Sequence, residues 1–238
     1  MCGRYSLATP NPGAVRERFA LAPDTVVERR FNIAPGQHVL AVTTDREGAP
    51  RADSLRWGLV PYWAEDPKIG WRMINARAET AAHKPAFRDP LARRRCLILA
   101  DGFFEWQPLG AKRKQPWWIT LPGHEPFAFA GLWATWRPKG QHDVEPLRTF
   151  TILTTHATAS LREVHDRMPV MLPRAAEAAW LDAGSSPATV AELLAPREGT
   201  VRVPVGPGVS DPGNDTPEVI VPVDPLPADE PAADETLF

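Results

Sequence analysis

Hydrophobic positions along this chain follow two periods. HVLAVTT at 38–44, CLILADGFFEW at 96–106, PWWITL at 116–121, FAFAGLWATW at 127–136 and RTFTILTTHA at 148–157 are apolar or alternating runs, rich in aromatic and β-branched residues. Such runs fit a pleated, half-buried surface and predict strands. In GAVRERFALA at 13–22, PAFRDPLARR at 85–94, RAAEAAWLDA at 174–183 and SPATVAELLA at 186–195 the apolar residues recur at helical spacing, and Ser186 stands where its hydroxyl caps the last of these helices. Strands gathered in the middle of the chain with helices at its flanks predict an α+β fold rather than a regular β/α alternation. No repeat and no internal linker interrupts residues 2–223, which read as one domain.

Composition narrows the class. With 238 residues, 43% of them hydrophobic, the chain is long enough for a buried core without disulfide staples. No apolar run approaches membrane-spanning length. The start, MCGRYSLATPNPG, lacks the basic and apolar regions of a secretory signal, so a cytoplasmic location is expected. Two cysteines, Cys2 and Cys96, cannot form a four-cysteine zinc site, and neither Cys-x-x-Cys nor His-Glu-x-x-His occurs.

The formal charge of -2, from 27 basic and 29 acidic residues, argues at first against a nucleic-acid binder. The average misleads, because eight of the acids and none of the bases lie after Ser210, leaving the preceding residues at +6. The segment 224–238 is acidic and proline-rich and is expected to be a disordered tail, whereas VIVPV just before it could pack as an edge segment.

Chemistry concentrates in four places. Removal of Met1 would give Cys2 a free α-amine beside its thiol. An α-amine with a pKa of about 8 is roughly 10% neutral at pH 7 against about 0.04% for a lysine, so it attacks an aldehyde more readily. The neighbouring thiol can then close a five-membered thiazolidine. The alternative is that Cys2 is an incidental small residue. In NARAET at 75–80, an extended segment would place Asn75, Arg77 and Glu79 on one face, suited to orient a substrate and grip a phosphate; the same residues also read as a turn entering a helix.

Glu105 ends an apolar strand between Phe104 and Trp106. Desolvation there would raise its pKa and suit it to proton transfer, unless it simply points into water. Strand alternation sets Phe103 and Glu105 on one face and Phe104 and Trp106 on the other, leaving Trp106 open to either a core or a base-stacking role. In HDRMPVML at 165–172, His165 is a candidate acid/base and Arg167 a candidate phosphate contact, or the three polar residues form a surface turn. Cys96, within CLIL, reads as an inert buried thiol. RWGLVPYWA interleaves Arg56 with Trp57, Tyr62 and Trp63, a pattern that suits unstacked bases, although most of the rings must serve the core.

MCGRYSL at the start, FNIAPGQ at 31–37, RWGLVPYWA at 56–64, NARAET at 75–80, GFFEW at 102–106, FAFAGLW at 127–133 and HDRMPVML at 165–172 together resemble the SRAP family, the SOS-response-associated peptidase proteins that process abasic sites in DNA. The resemblance implies a curved, partly barrel-like antiparallel sheet core with peripheral helices. It implies that Cys2 captures the ring-opened aldehyde of an abasic site in single-stranded DNA as a thiazolidine, without metal or cofactor. Asn75 would orient the terminal group, Glu105 would shuttle protons, and His165 would assist closure or reversal. Arg4, Arg77 and Arg167 would hold phosphates and Trp106 would stack at the lesion. The family also implies a peptidase activity that removes the residue before Cys2, and a monomer with no obligate protein partner is expected. The segment VSDPGNDTPEVIVPV follows the family's closing segment only loosely.

Three other readings use the same residues: an N-terminal-nucleophile amidohydrolase, since glutamine amidotransferases of that class also begin MCG; a non-catalytic single-strand DNA-binding module, in which Cys2 is dispensable; and a protease acting on other proteins through Cys2, Glu105 and His165. No glutamine-binding pattern supports the first.

Overall fold

A computed structural model of the chain describes residues 2–110, 113–141 and 143–227. In chain order the described elements begin with β1 (Tyr5–Leu7), α1 (Pro12–Arg18), β2 (Arg30–Ile33), β3 (His38–Thr44), β4 (Pro50–Trp57), β5 (Asn75–Arg77), α2 (Ala78–Ala81) and α3 (Arg88–Arg93). They continue with β6 (Arg95–Ala100), β7 (Gly102–Pro108), β8 (Lys114–Thr120), β9 (Phe127–Trp136), β10 (Leu147–His156), β11 (Arg167–Pro169), β12 (Met171–Leu172), α4 (Glu177–Leu181), α5 (Pro187–Glu192) and β13 (Val201–Pro204).

Two sheets organise these strands. β4, β3, β6, β9 and β10 pair in that order, and β10 returns to β4 through Thr149↔Arg56 and Phe150↔Trp57, which closes a five-stranded barrel. Closure removes the free edges that an open sheet would leave. The second sheet runs β13-β8-β7-β1-β2. The fold is α+β, as the strand and helix runs predict, with the barrel-like core that the family resemblance implies, and it is antiparallel except where β10 meets β4 and β5.

β10 is ten residues long, and its later half extends past β4. There β5 pairs on one edge, with Ile152 opposite Asn75 and Thr154 opposite Arg77, while β11 pairs on the other, with Thr154 opposite Pro169 and His156 opposite Arg167. One strand therefore carries the NARAET and HDRMP segments side by side.

The run CLILADGFFEW is not one strand. It breaks at Asp101, where β6 leaves the barrel and β7 enters the second sheet. The buried Asp101 carboxylate anchors the corner by accepting from Ser6 Oγ at 2.7 Å, Ala8 N at 2.6 Å and Thr9 Oγ1 at 3.0 Å. Gly102 is required on the far side, because a Cβ there would stand 1.9 Å from Trp118 Nε1. Alternation then resumes along β7. Phe103 joins the main core, where it meets Phe129 edge-on beside Tyr5, while Phe104 joins a smaller cluster with Trp118, Val205, Val209 and Val219. Each such ring contributes on the order of 2 kcal/mol by leaving water.

The five runs expected to be strands are all in strands, and the helical runs each contain a shorter helix than their periodicity spans. Ser186 caps α5 by accepting from Thr189 N at 3.1 Å. The extended reading of NARAET needs correction. Its strand ends at Arg77 and α2 begins at Ala78, so Glu79 lies on a helix rather than on a shared strand face. The expected tail begins at Asp224; within it Leu226 N donates to Gln115 Oε1 on β8 at 2.8 Å, and 228–238 lies outside the described residues.

Candidate active site at the amino terminus

The chain enters β1 antiparallel to β7, with Phe104 N donating to the Arg4 carbonyl at 2.9 Å. That register brings Cys2 beside Glu105. Cys2 is fully buried, and its Sγ donates to the Arg4 carbonyl at 3.7 Å. Across the site Asn75, held on β5, donates from Nδ2 to the Cys2 carbonyl at 2.6 Å. Among the described residues the Asn75 Oδ1 is buried without a hydrogen-bond partner.

Electrostatics at this point favour proton transfer. Burial, with only 4% of Glu105 exposed, pushes its carboxyl up to about 7, and the charge of Asp166 adds to the rise. A carboxyl with that pKa is present in both protonation states near neutrality. The Cys2 thiol is pushed far above its ordinary range by burial first and by the Glu105 charge second. It rests as a thiol, so its reaction requires a nearby base.

His165 lies on the turn before β11, with 31% of its side chain exposed. Its Nδ1 accepts from Arg167 N at 2.9 Å and stands 2.8 Å from Asp166 Oδ1. Burial, followed by positive charge nearby, holds the imidazole below its ordinary pKa. Nδ1 thus faces both a donor, the Arg167 amide, and an acceptor, the Asp166 carboxylate, and the second contact is favourable when Nδ1 carries a proton.

The expected phosphate contacts occupy three different environments. Arg77 is exposed at the end of β5. Arg4 is half-buried, its Nη1 donating to Asn32 Oδ1 at 2.9 Å and to the Val209 carbonyl at 2.8 Å. Arg167 turns inward. Only 8% of its side chain is exposed, its two terminal nitrogens each lie 2.9 Å from a different oxygen of Glu79, and Nη2 also donates to the Thr154 carbonyl at 2.6 Å. Trp106 is partly exposed beside Arg4 and donates from Nε1 to Ser210 Oγ at 3.1 Å. Elsewhere, Trp57 is core while Tyr62 and Trp63 are exposed, and Cys96 is buried beneath Gly131.

Sequence reasoning missed two sets of residues. One is the latch formed by Asn32 and Asp215, which fastens residues 209–215 over Arg4 and Trp106. Asn32 Nδ2 donates to the carbonyls of Val209, Asp211 and Asn214, and Asp215 accepts from Arg30 Nε and from the Phe31 and Asn32 amides. The other is Glu79 with Thr154, the partners of Arg167. Glu79 was visible in its motif, but its partner lies 88 residues away. Among the described residues no three His, Cys, Asp or Glu side chains converge to hold a metal ion, and no helix is long and apolar enough to cross a membrane.

Comparison with known proteins gives a consistent picture. Residues 1–212 match the model of the SOS response associated peptidase (SRAP) family. The chain is 43% identical over 200 residues to the abasic site processing protein YoaM of Bacillus subtilis, covering 82% of this chain and 86% of that one. It is 40% identical over 227 residues to YoqW of the same organism, covering 92% and 99%, and 33% identical over 270 residues to HMCES of Gallus gallus, covering 94% and 78%. Both carry the same description, abasic site processing protein. A crystal structure of a Bacteroides thetaiotaomicron protein superposes with a TM-score of 0.83 at 24% identity, over 93% of this chain and 100% of that one, a likeness of fold. A phage-related protein of Bordetella bronchiseptica superposes with a TM-score of 0.66 at 30% identity, over 86% and 94%.

Proposed function

Because the chain belongs to the SRAP family, we propose that it processes abasic sites in DNA, by capturing the ring-opened aldehyde in single-stranded DNA on the amine and thiol of Cys2. The observation that carries this reading is the convergence of Asn75 and Glu105 on Cys2 from different sheets.

Hydrolysis of the Met1–Cys2 peptide bond first frees the Cys2 amine and consumes one water. The neutral amine adds to the aldehyde carbon to give a carbinolamine. Protonated Glu105 donates to the departing hydroxyl, water leaves and an imine forms. The Cys2 sulfur then bonds to the imine carbon. Its proton passes to the Glu105 carboxylate, and the former imine nitrogen takes back the proton it released when the imine formed. Amine, thiol and aldehyde thus yield a thiazolidine and one water, with no change in oxidation state. Asn75 holds the Cys2 backbone so that amine and sulfur face the same carbon. Neutral His165 supplies a second group able to take or return a proton during closure and reversal.

Exposed Arg77 contacts a flanking phosphate. Arg4 and Trp106 form one wall of the strand's path together with residues 209–210, and act through that wall rather than as free side chains.

The test is to incubate the purified protein with single-stranded DNA carrying one abasic site and resolve the products on a denaturing gel. The expected product is a heat-resistant adduct that disappears with Cys2→Ala and with a residue retained ahead of Cys2. Equal cross-linking by Cys2→Ala would overturn the thiazolidine mechanism. DNA binding without any adduct from wild type would favour the non-catalytic module.

A further inference from the structure

The second sheet continues past the candidate site on the face that carries Glu105. Along β7, Phe103, Glu105 and Gln107 share this face, and the residues opposite them on β8 are Ile119, Trp117 and Gln115. Trp117 therefore stands directly across from Glu105, with β-carbons about 5 Å apart as in any antiparallel pair. β1 lies along the other edge of β7, so the chain start that bears Cys2 and the Trp117 ring flank Glu105 from opposite sides.

The indole is fixed from several directions. Its Nε1 donates to Gln107 Oε1 at 2.8 Å, its ring packs against the main core, and the Arg202 guanidinium of β13 lies 5.3 Å over it. Arg202 in turn reaches Glu163 at 3.5 Å, on the segment that leads to His165. Gln107, Arg202 and Glu163 have no part in the proposed chemistry.

We propose that Trp117 is a positioning residue that walls the Glu105 carboxyl off from water on the side away from Cys2, with Gln107 and Arg202 holding the ring in place. A large apolar ring beside a carboxyl displaces the hydration that its charged form needs, so the neutral form persists to higher pH. Tryptophan does this without stranding its own N–H, because Gln107 accepts it. Burial is the largest influence on Glu105; the chain's amino group opposes it, and Asp166 on the turn before β11 reinforces it. Cys2 is the titratable neighbour on the opposite side, and Arg202 with Glu163 completes the charged groups around Trp117. This inference rests on the proposed function only for the part that concerns cross-linking.

The test compares Trp117→Thr, which removes the ring, with Trp117→Phe, which keeps most of its hydrocarbon. Carbon-13 NMR titration of the Glu105 carboxyl in the unliganded protein is expected to place its midpoint about 1 pH unit or more below wild type in Trp117→Thr, and within about 0.3 of wild type in Trp117→Phe. The pH profile of cross-linking is expected to move down with the midpoint in Trp117→Thr, while affinity for intact single-stranded DNA stays unchanged. Gln107→Ala releases the ring without deleting it and is expected to shift the midpoint the same way by about half as much; it carries the test if Trp117→Thr does not fold. An unchanged midpoint in Trp117→Thr or, failing that variant, in Gln107→Ala overturns the proposal. An equal shift in Trp117→Phe and Trp117→Thr overturns it too, as does weaker DNA binding with the midpoint unmoved, which would make Trp117 a surface for bases. If wild type forms no adduct, the proposed function fails while the carboxyl titration still decides the role of Trp117.

Discussion

Asn75 donates a 2.6 Å hydrogen bond to the Cys2 carbonyl from a strand that belongs to the other sheet. This contact ties the first residues of the chain to the barrel before β1 begins. It also leaves Asn75 Oδ1 buried and unpartnered, an arrangement costing about 1–3 kcal/mol that a site can retain when the acceptor serves a reacting group.

Replacing Asn75 separates orientation from folding. Asn75→Ala removes the donor to Cys2 along with the orphaned acceptor, so stability should change by no more than about 1 kcal/mol. The cross-linking rate should fall by about 100-fold, because amine and thiol lose their shared direction. Thermal melting and a gel time course measure the two effects. A proportionate loss of both would make Asn75 merely structural.

Glu105 makes a pH-dependent demand on the fold. Its folded pKa of about 7 lies above its ordinary value of 4.5, so the native state holds the extra proton between those limits. Stability therefore declines as pH rises through this window, by about 3 kcal/mol in total. Glu105→Gln abolishes that decline and should be more stable than wild type at pH 8 but close to it at pH 4.5. Urea denaturation at the two pH values reads the difference. The same variant should cross-link far more slowly at neutral pH, for want of a proton carrier.

Arg77 and Arg4 should respond differently to truncation. Arg77 is exposed, so Arg77→Ala should leave stability within about 0.5 kcal/mol of wild type. It should lower the slope of log affinity against log salt by about 0.7 for single-stranded DNA. Arg4→Ala removes three hydrogen bonds by which its guanidinium links Asn32 on β2 to the carbonyls of Val209 and Ser210, and should lower the melting temperature as well. Fluorescence anisotropy across a salt series, paired with melting curves, distinguishes the two.

Asp215 fastens the closing segment. Burial alone would raise its pKa, but hydrogen bonds from Arg30 and from the Phe31 and Asn32 amides outweigh it and hold the carboxyl below its usual range. The stability it contributes is present above the unfolded carboxylate pKa and is lost as pH falls through the depressed folded value. Asp215→Asn should cost about 2 kcal/mol at pH 7, with the gap to wild type narrowing below about pH 4. Faster amide exchange at Phe31 and Asn32 would locate the loosening; unaltered exchange there would refute the latch.

Much of this arrangement was legible along the chain. The long strands appeared as aromatic and β-branched runs, because a strand with one face in the core must alternate or be apolar throughout. Glu105 was readable as a desolvated carboxyl for the same reason, since alternation along β7 sends it inward with Phe103. The short strands at Tyr5–Leu7 and Asn75–Arg77 carried no such signal, because three residues are too few to show a period. They form because longer neighbours offer them an edge.

Sequence by itself determined the candidate groups: a cysteine at position 2, a carboxyl between aromatics, an imidazole beside an acid, and a basic body hidden by acidic residues near its end. Only the tertiary structure decided which of them meet and which cations stay free. Arg4, Arg77 and Arg167 carry the same guanidinium, yet one is braced against residues 209–210, one is exposed and one is clamped to Glu79. Local pattern reports which face of an element is buried. The partner across that face comes from pairings such as Ile152 with Asn75, set when distant strands close the barrel, and those long-range contacts leave no trace in the spacing of neighbouring residues.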